Sequence, residues 1–189
     1  MIHKNMVYKV LGENIFEILE FRIVPIRYKD RYSIMQWRNE QMYHLRQSKP
    51  LTKADQDHYF NNVIKPQFSE VNPNQILFSF LENDQCIGYG GLVHIDWESK
   101  NAEISFILKT SLEKSLFTEL WNSYLKMIEK VAFKELKFRK IYVYAFDLRP
   151  ALYKILKQNN FMEEARLKDQ KLVEKNRYVD VLIYSKINQ

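Results

Sequence analysis

Cys86 is the only cysteine in 189 residues, so no intramolecular disulfide can form and no cysteine-based metal site can be assembled. Long apolar runs are also missing. None approaches the roughly 20 residues that cross a bilayer, and the amino-terminal MIHKNMVYKV lacks the apolar centre of a secretory signal. These absences lead to the expectation of a cytoplasmic protein with no membrane segment and no metal. Nor does the chain carry a run of five or more Lys and Arg, an internal repeat, a low-complexity tract or a Gly/Ser linker. A basic nucleic-acid-binding arm and a chain divided by a flexible hinge are therefore disfavoured.

What is present is the composition of a folded protein. Hydrophobic residues make up 46% and charged residues 28% of a length that suits one domain with a sizeable core. The 29 Lys and Arg against 23 Asp and Glu leave a formal charge of +6. That excess favours an anionic partner, whether nucleic acid, anionic lipid or a phosphate-bearing cofactor. The basic residues are scattered, which also suits a plain solvated surface.

Residues 7–26 read as extended, with Gly12 and Asn14 supplying a hairpin-like turn, and residues 27–39 place Ile34, Met35 and Trp37 at loose helical spacing. Thr52 opens TKADQ, a Thr-x-x-Asp pattern that can cap a helix running through HYFNNVI to a stop at Pro66. ILFSFLE, CIGYGGLVHIDW and AEISFIL, separated by turn residues, predict a meander of three antiparallel strands. Leu116, Leu120, Tyr124, Met127 or Ile128, and Val131 then recur at three- and four-residue intervals, which predicts a long helix with one buried stripe. KIYVYAF reads as a buried strand, PALYKILKQNN as a short helix, and FMEEARLKD and YVDVLIYSKI as two last strands. Helices alternating with strands after a meander predict an α/β fold built on a mixed sheet.

The last strand of the meander feeds directly into the long helix. A helix that starts at the carboxyl end of a strand offers unpaired N–H groups and a positive dipole end, which suit a phosphate or pyrophosphate. At this junction Thr110 and Glu113 fit a capping box, Lys109 and Lys114 bring positive charge, and the hydroxyls of Ser111 and Ser115 can donate. The same residues also suit the cap of a purely structural helix, and both readings stand.

Several stretches carry a further signal: WRN at residues 37–39, CIGYGGL at 86–92, AEISFIL at 102–108, and LYKILKQNNF at 152–161 followed by EARLKD and YVDVLIYSKI. In this order, with two helices after the first strand and a meander before the long helix, the chain resembles the GNAT (GCN5-related N-acetyltransferase) superfamily, in particular its ribosomal-protein and amino-sugar acetyltransferases. The resemblance implies a single-domain, mixed and mostly antiparallel sheet flanked by helices over residues 21–187, preceded by an N-terminal extension, residues 1–20, with a hairpin strand packed on the domain.

It implies further that acetyl-CoA, the acetyl donor, lies between the strands at residues 102–108 and 141–146 where these splay apart. Backbone groups of Phe106, Ile107 and Leu108 would pair with the pantetheine amides. The pyrophosphate would sit over Lys109, Thr110, Ser111, Lys114 and Ser115, with Arg149 and Tyr153 completing the cofactor-binding set. The chain departs from the family pattern in three places. It has no glycine after Gly91, so its phosphate loop lacks the family's glycines; Leu156 stands where the family places a tyrosine acid; and Asn160 replaces the glycine of a Gly-Phe pair.

Glu103 holds the strand position where some members keep a glutamate that accepts the amine proton, often through water, and it equally suits a structural carboxylate. The acceptor site is implied near the first two helices and the final strands, with Arg38, Asn39, Tyr43 and Arg46 as binding candidates and Trp37 as core. Arginine and aromatic side chains there suit a nucleotide base and phosphates. His44 and His94 have no partners at catalytic spacing in the sequence. The expected function is acetyl-CoA-dependent N-acetylation of a primary amine on a small molecule or peptide, with an amino-sugar nucleotide preferred. Acetylation of protein or peptide N-termini, and a catalytically silent acyl-CoA-binding module, are the alternatives, and a homodimer is open.

Overall fold

In the computed structural model, which describes residues 6–188, eight strands form one sheet. Residues 1–5, the start of the expected extension 1–20, and residue 189 lie outside the described residues. The strands are β1 (Phe16–Ile18), β2 (Phe21–Pro25), β3 (Ile76–Glu82), β4 (Gln85–Asp96), β5 (Asn101–Leu108), β6 (Lys140–Phe146), β7 (Met162–Glu174) and β8 (Arg177–Ile187). Their spatial order is β1-β2-β3-β4-β5-β6-β8-β7, and every neighbouring pair is antiparallel except β5 and β6. The mixed, mostly antiparallel sheet and the β3-β4-β5 meander are therefore as the sequence predicts.

The helices are α1 (Arg31–Glu40), α2 (Lys53–Tyr59), α3 (Lys65–Gln67), α4 (Thr110–Glu113), α5 (Phe117–Glu129) and α6 (Pro150–Gln158). The capping box of α2 forms: Thr52 Oγ1 accepts from the Asp55 N–H at 3.1 Å and the Asp55 carboxylate accepts from the Thr52 N–H at 2.9 Å. Along α5 the expected stripe is buried from Leu120 onward, with Leu120, Tyr124, Met127, Ile128 and, just beyond, Val131 each at most 1% exposed, whereas Leu116, its expected first member, precedes the helix and is exposed. Its ring contacts begin at β5, where Phe106 stacks on Tyr124 at 3.7 Å. Helix α6 ends with the Asn160 N–H on the Lys157 carbonyl and the Phe161 N–H on the Leu156 carbonyl, and Asn160 is left-handed at φ 63°. An asparagine tolerates that conformation, so the residue that replaces the family's glycine still closes the helix.

Three expectations are corrected. The hairpin turn is at Leu19 and Glu20, with Leu19 at φ 53°, and not at Gly12 and Asn14. The Asn14 side chain instead closes a separate loop by bonding both backbone groups of Tyr8 and the Leu11 carbonyl. Pro66 does not stop the second helix: a π-turn at Phe60–Ile64 shifts the hydrogen-bond register, so Pro66 falls in the first turn of α3, where a missing N–H costs little. Finally, β5 does not feed one unbroken helix. Leu116, at φ −120° and ψ 12°, separates the four-residue α4 from α5.

Glycine is required where β3 and β4 approach most closely. A Cβ on Gly91 would run into the Ile76 carbonyl and come within 2.8 Å of the Leu77 Cα, both of them backbone. Gly91→Ala should therefore cost about 1–3 kcal/mol through overpacking. A thermal melt checks this, and an unchanged midpoint would contradict the tight register.

Candidate active site

Strands β5 and β6 pair over only three residues each: Asn101 with Lys140, Ala102 with Ile141 and Glu103 with Tyr142. Beyond Glu103 they part, and a cavity of about 560 Å³ opens between them. On its β4 side, β5 stays fully paired out to Leu108. The Ser105 and Ile107 carbonyls lie against Gly90 and Gly88 of β4. Strand alternation consequently turns the backbone N–H and C=O of Ile104 and Phe106 toward the opening. The expected splay is present, and it leaves a length of strand edge with no strand partner.

At the closed end of the opening, both Glu103 oxygens accept from one Arg46 nitrogen at 2.9 Å, while the guanidinium carbon lies 4.1 Å from the Tyr144 ring centroid. Glu103 is buried and Arg46 is exposed toward solvent. His94 completes this group: its Nε2 lies 3.0 Å from Arg46 Nη1 and 3.9 Å from Glu103. The register of β4 and β5 slips between Val93 and Asp96, and His94 there adopts φ 48°. Such a bulge re-aims a side chain, and it brings His94 onto the cavity wall. This corrects the expectation that His94 lacks a partner, because a bulge between two ordinary strand residues has no signature in side-chain spacing. Arg38 lines the same wall, held by Gln47 at 3.0 Å and the Tyr89 hydroxyl at 2.5 Å.

The open end is built by α4, by the single turn Met42–His44 after α1, and by the start of α6. Gln41 donates to the Leu108 carbonyl at 2.8 Å and to Thr110 Oγ1 at 3.0 Å, and the Thr110 hydroxyl donates to Glu40 at 2.5 Å. Buried His44 sits 3.3 Å from Gln41. Burial, and next the Arg149 charge, push its pKa from 6.5 down to about 3, so the imidazole is neutral. Arg149 reaches into the opening from the N-cap of α6 and pairs with Glu113 at 3.5 Å. Burial holds the guanidinium below its ordinary range despite Glu113, and burial raises the Glu113 carboxyl despite Arg149. Trp121 of α5 lines the same opening, its ring edge-on to Phe106 at 4.9 Å.

The structure thus brings Glu103, Arg46, Arg38, Phe106, Ile107 and Arg149 to one cavity. Other candidates are engaged elsewhere. The Asn39 amide is spent pinning the following loop, bonded to Leu51 and Gln47. The expected capping box of Thr110 and Glu113 does not form, because the Thr110 side chain bonds Glu40 and Gln41 while Glu113 turns to Arg149. Lys109, Ser111, Lys114 and Ser115 are exposed beside the opening, and Tyr43 is exposed edge-on to His44. The Tyr153 hydroxyl donates to the Phe146 carbonyl at 2.9 Å, and its ring stacks on Tyr184. Leu156 is fully buried, so no phenol takes the place of the family acid there. Cys86, whose thiol is pushed up to about 12 by burial, contacts the Gly88 carbonyl and remains protonated.

A family model described as an acetyltransferase (GNAT) domain matches residues 23–183. Among solved structures, the spermidine N-acetyltransferase of Vibrio cholerae in complex with CoA and spermine is similar at 18% identity and a TM-score of 0.75, over 89% of this chain and 96% of that one. A second, described as a probable acetyltransferase, is similar at 19% identity and a TM-score of 0.70, over 93% of this chain and 98% of that one. Identities this low establish the fold alone. No curated protein matches the chain.

The His44 shift has a stability consequence of fixed sign. Between pH 6.5 and about 3 the unfolded chain binds a proton that the folded chain refuses. The stabilisation is complete above 6.5 and is lost as pH falls toward about 3. His44→Gln should flatten that part of the melting-temperature curve, and parallel curves for the two proteins would contradict the assignment.

Proposed function

The chain belongs to the GNAT acetyltransferases, and from that premise we propose that it transfers acetyl from acetyl-CoA, bound in the β5/β6 opening, to a primary amine that also carries an anionic group. The opening fits such a donor on three counts. A strand edge without a strand partner on its cleft side suits the pantetheine amides, a guanidinium at the mouth suits the phosphates, and the indole N–H of Trp121 is buried without an acceptor. Ile104 and Phe106 would hold the arm by their backbone, while the Ile107 backbone, expected to share that role, is taken by β4; Arg149 would bind phosphate. Lys109, Lys114 and the hydroxyls of Ser111 and Ser115 would add to the field around the tail; Leu108 and Thr110 would shape the turn through Gln41.

When bound, acetyl-CoA supplies a thioester that an uncharged amine can attack. The chain's part is to position the amine and take its proton. We assign the proton to Glu103, directly or through water. Arg46 fixes the carboxylate by two bonds to the same nitrogen, leaving each oxygen with further acceptor capacity. His94 Nε2 accepts from Arg46 at 3.0 Å and helps to hold the guanidinium that orients Glu103. No phenolic acid is assigned, because a thiol is already a good leaving group.

The observation that carries the acceptor class is the charge of the wall. With Arg149 given to the donor's phosphates, Arg38 and Arg46 line the cavity beside His94, against a single lining carboxylate, Glu103, that is already paired. A polycation such as spermidine, named for the similar Vibrio cholerae enzyme, would bring ammonium groups against these guanidiniums. A phosphate or carboxylate on the acceptor would meet them favourably. An amino-sugar nucleotide combines a primary amine with a diphosphate and is the preferred instance. Thiol release from acetyl-CoA should therefore be faster with an amino-sugar nucleotide than with spermidine at equal concentration. The reverse preference would refute the acceptor class, and CoA binding with no turnover on any amine would point to the silent module.

For the proton, Glu103→Gln keeps the shape and removes the acceptor. Turnover should fall about 10²-fold at neutral pH, acetyl-CoA affinity should hardly change, and the loss should shrink as pH rises and more amine arrives neutral. A stable Gln variant with full turnover at every pH would remove Glu103 from the chemistry. If His94→Gln alone reproduced the pH-dependent loss, the role would pass to His94.

A further inference from the structure

Two buried polar groups at the mouth of the opening are poorly satisfied for protein interiors. Trp121 is 2% exposed, yet its Nε1–H has no hydrogen-bond partner among the described residues. A buried donor left in this state is uncommon and calls for an explanation. The ring is held in place, edge-on to Phe106 at 4.9 Å and tilted against Phe117 at 5.9 Å, so the N–H cannot readily turn to find an acceptor within the core. Arg149 is the second group. Its side chain is 14% exposed, and its ion pair with Glu113 is a single contact of 3.5 Å, far short of what a guanidinium with five donors can make. The guanidinium carbon lies 5.9 Å from both the Trp121 and the Phe117 ring centroids. The arginine therefore covers the part of the opening on which the indole borders.

We propose that Trp121 is a ligand-binding residue of this opening: its indole N–H donates to an oxygen of the diphosphate–pantetheine arm of acetyl-CoA, and becomes reachable when Arg149 leaves Glu113 for the phosphates. The inference rests on the placement of acetyl-CoA between β5 and β6. It explains both deficits together. Glu113 holds the arginine and the arginine shields the indole; on binding CoA the guanidinium gains better acceptors and the indole N–H gains one. Glu113 acts here as a competitor for the phosphate-binding group, in a loop that lacks the glycines through which a backbone cradle would form.

The test uses CoA itself, which binds without turnover, and the indole N–H signals of the full chain in two-dimensional ¹⁵N NMR. The Trp121 signal is identified through its proximity to the Phe106 ring, so the experiment does not depend on a variant that folds. Saturating CoA should move the Trp121 N–H downfield, while Trp97, whose N–H already donates to the Pro73 carbonyl, stays in place. Hydrogen exchange at the Ile104 and Phe106 amides, which face the opening, measured on the same sample, reports where CoA lies. Trp121→Phe should weaken CoA binding about fivefold, the loss expected for one hydrogen bond, and Glu113→Gln should strengthen it about threefold by freeing Arg149. If β5 is protected while the Trp121 signal is unmoved and Trp121→Phe binds as well as the parent, the inference fails and the placement of acetyl-CoA survives. If CoA binds and β5 is not protected, the placement itself fails and takes the inference with it.

Discussion

The site depends on a short parallel ladder. Strands β5 and β6 are the single parallel pair in the sheet, and their three-residue pairing ends at Glu103 and Tyr142. A parallel pair needs a long crossover, and here α5 supplies it with a wholly buried face. The same helix places Trp121 and Tyr124 against Phe106, so the residues that anchor the crossover to β5 also wall the opening. Were the ladder to continue to Leu108, the edge of β5 would be satisfied by β6 and nothing would remain for a ligand to pair with. The opening is thus an interruption of the sheet that buried aromatic packing keeps in place.

Around this opening the charges are arranged in two pairs. Near the ladder, Arg46 holds Glu103 by two bonds of 2.9 Å, and Tyr144 supports the guanidinium from below. At the mouth, Arg149 and Glu113 make a single 3.5 Å contact under heavy burial. The first pair is geometrically well made and suits a fixed function, the orientation of a carboxylate. The second is loosely made and suits replacement. The difference follows from desolvation: a buried ion pair is retained at low cost only when its remaining hydrogen-bonding capacity is filled. Arg46 reaches solvent and has His94 beside it, whereas Arg149 is enclosed with its donors largely unused.

Much of the fold was legible in the sequence because the signals were local and repeated. The capping box at Thr52, the meander and the stripe through Leu120, Tyr124, Met127 and Val131 each sit within one element, and periodicity reports them well. Less legible were features decided by partners far away in the chain. Thr110 does not cap its helix because Glu40, 70 residues earlier, receives its hydroxyl. Asn39 is lost as a ligand because Leu51 and Gln47 claim its amide. His94 enters the site through a backbone bulge, and Trp121 reads as one more apolar residue of an amphipathic helix until its N–H is found without a partner. Gln41 likewise joins the first helix to the junction through the Leu108 carbonyl, 67 residues later, which no local pattern shows.

The central claim is that the gap between β5 and β6 is where acetyl-CoA lies. A crystal structure of the chain with CoA tests it most directly. The account predicts density for the pantetheine arm running beside residues 104–107 between the two strands, with Arg149 turned from Glu113 to phosphate. CoA bound elsewhere on the molecule, or an opening left empty at saturating CoA, would contradict it.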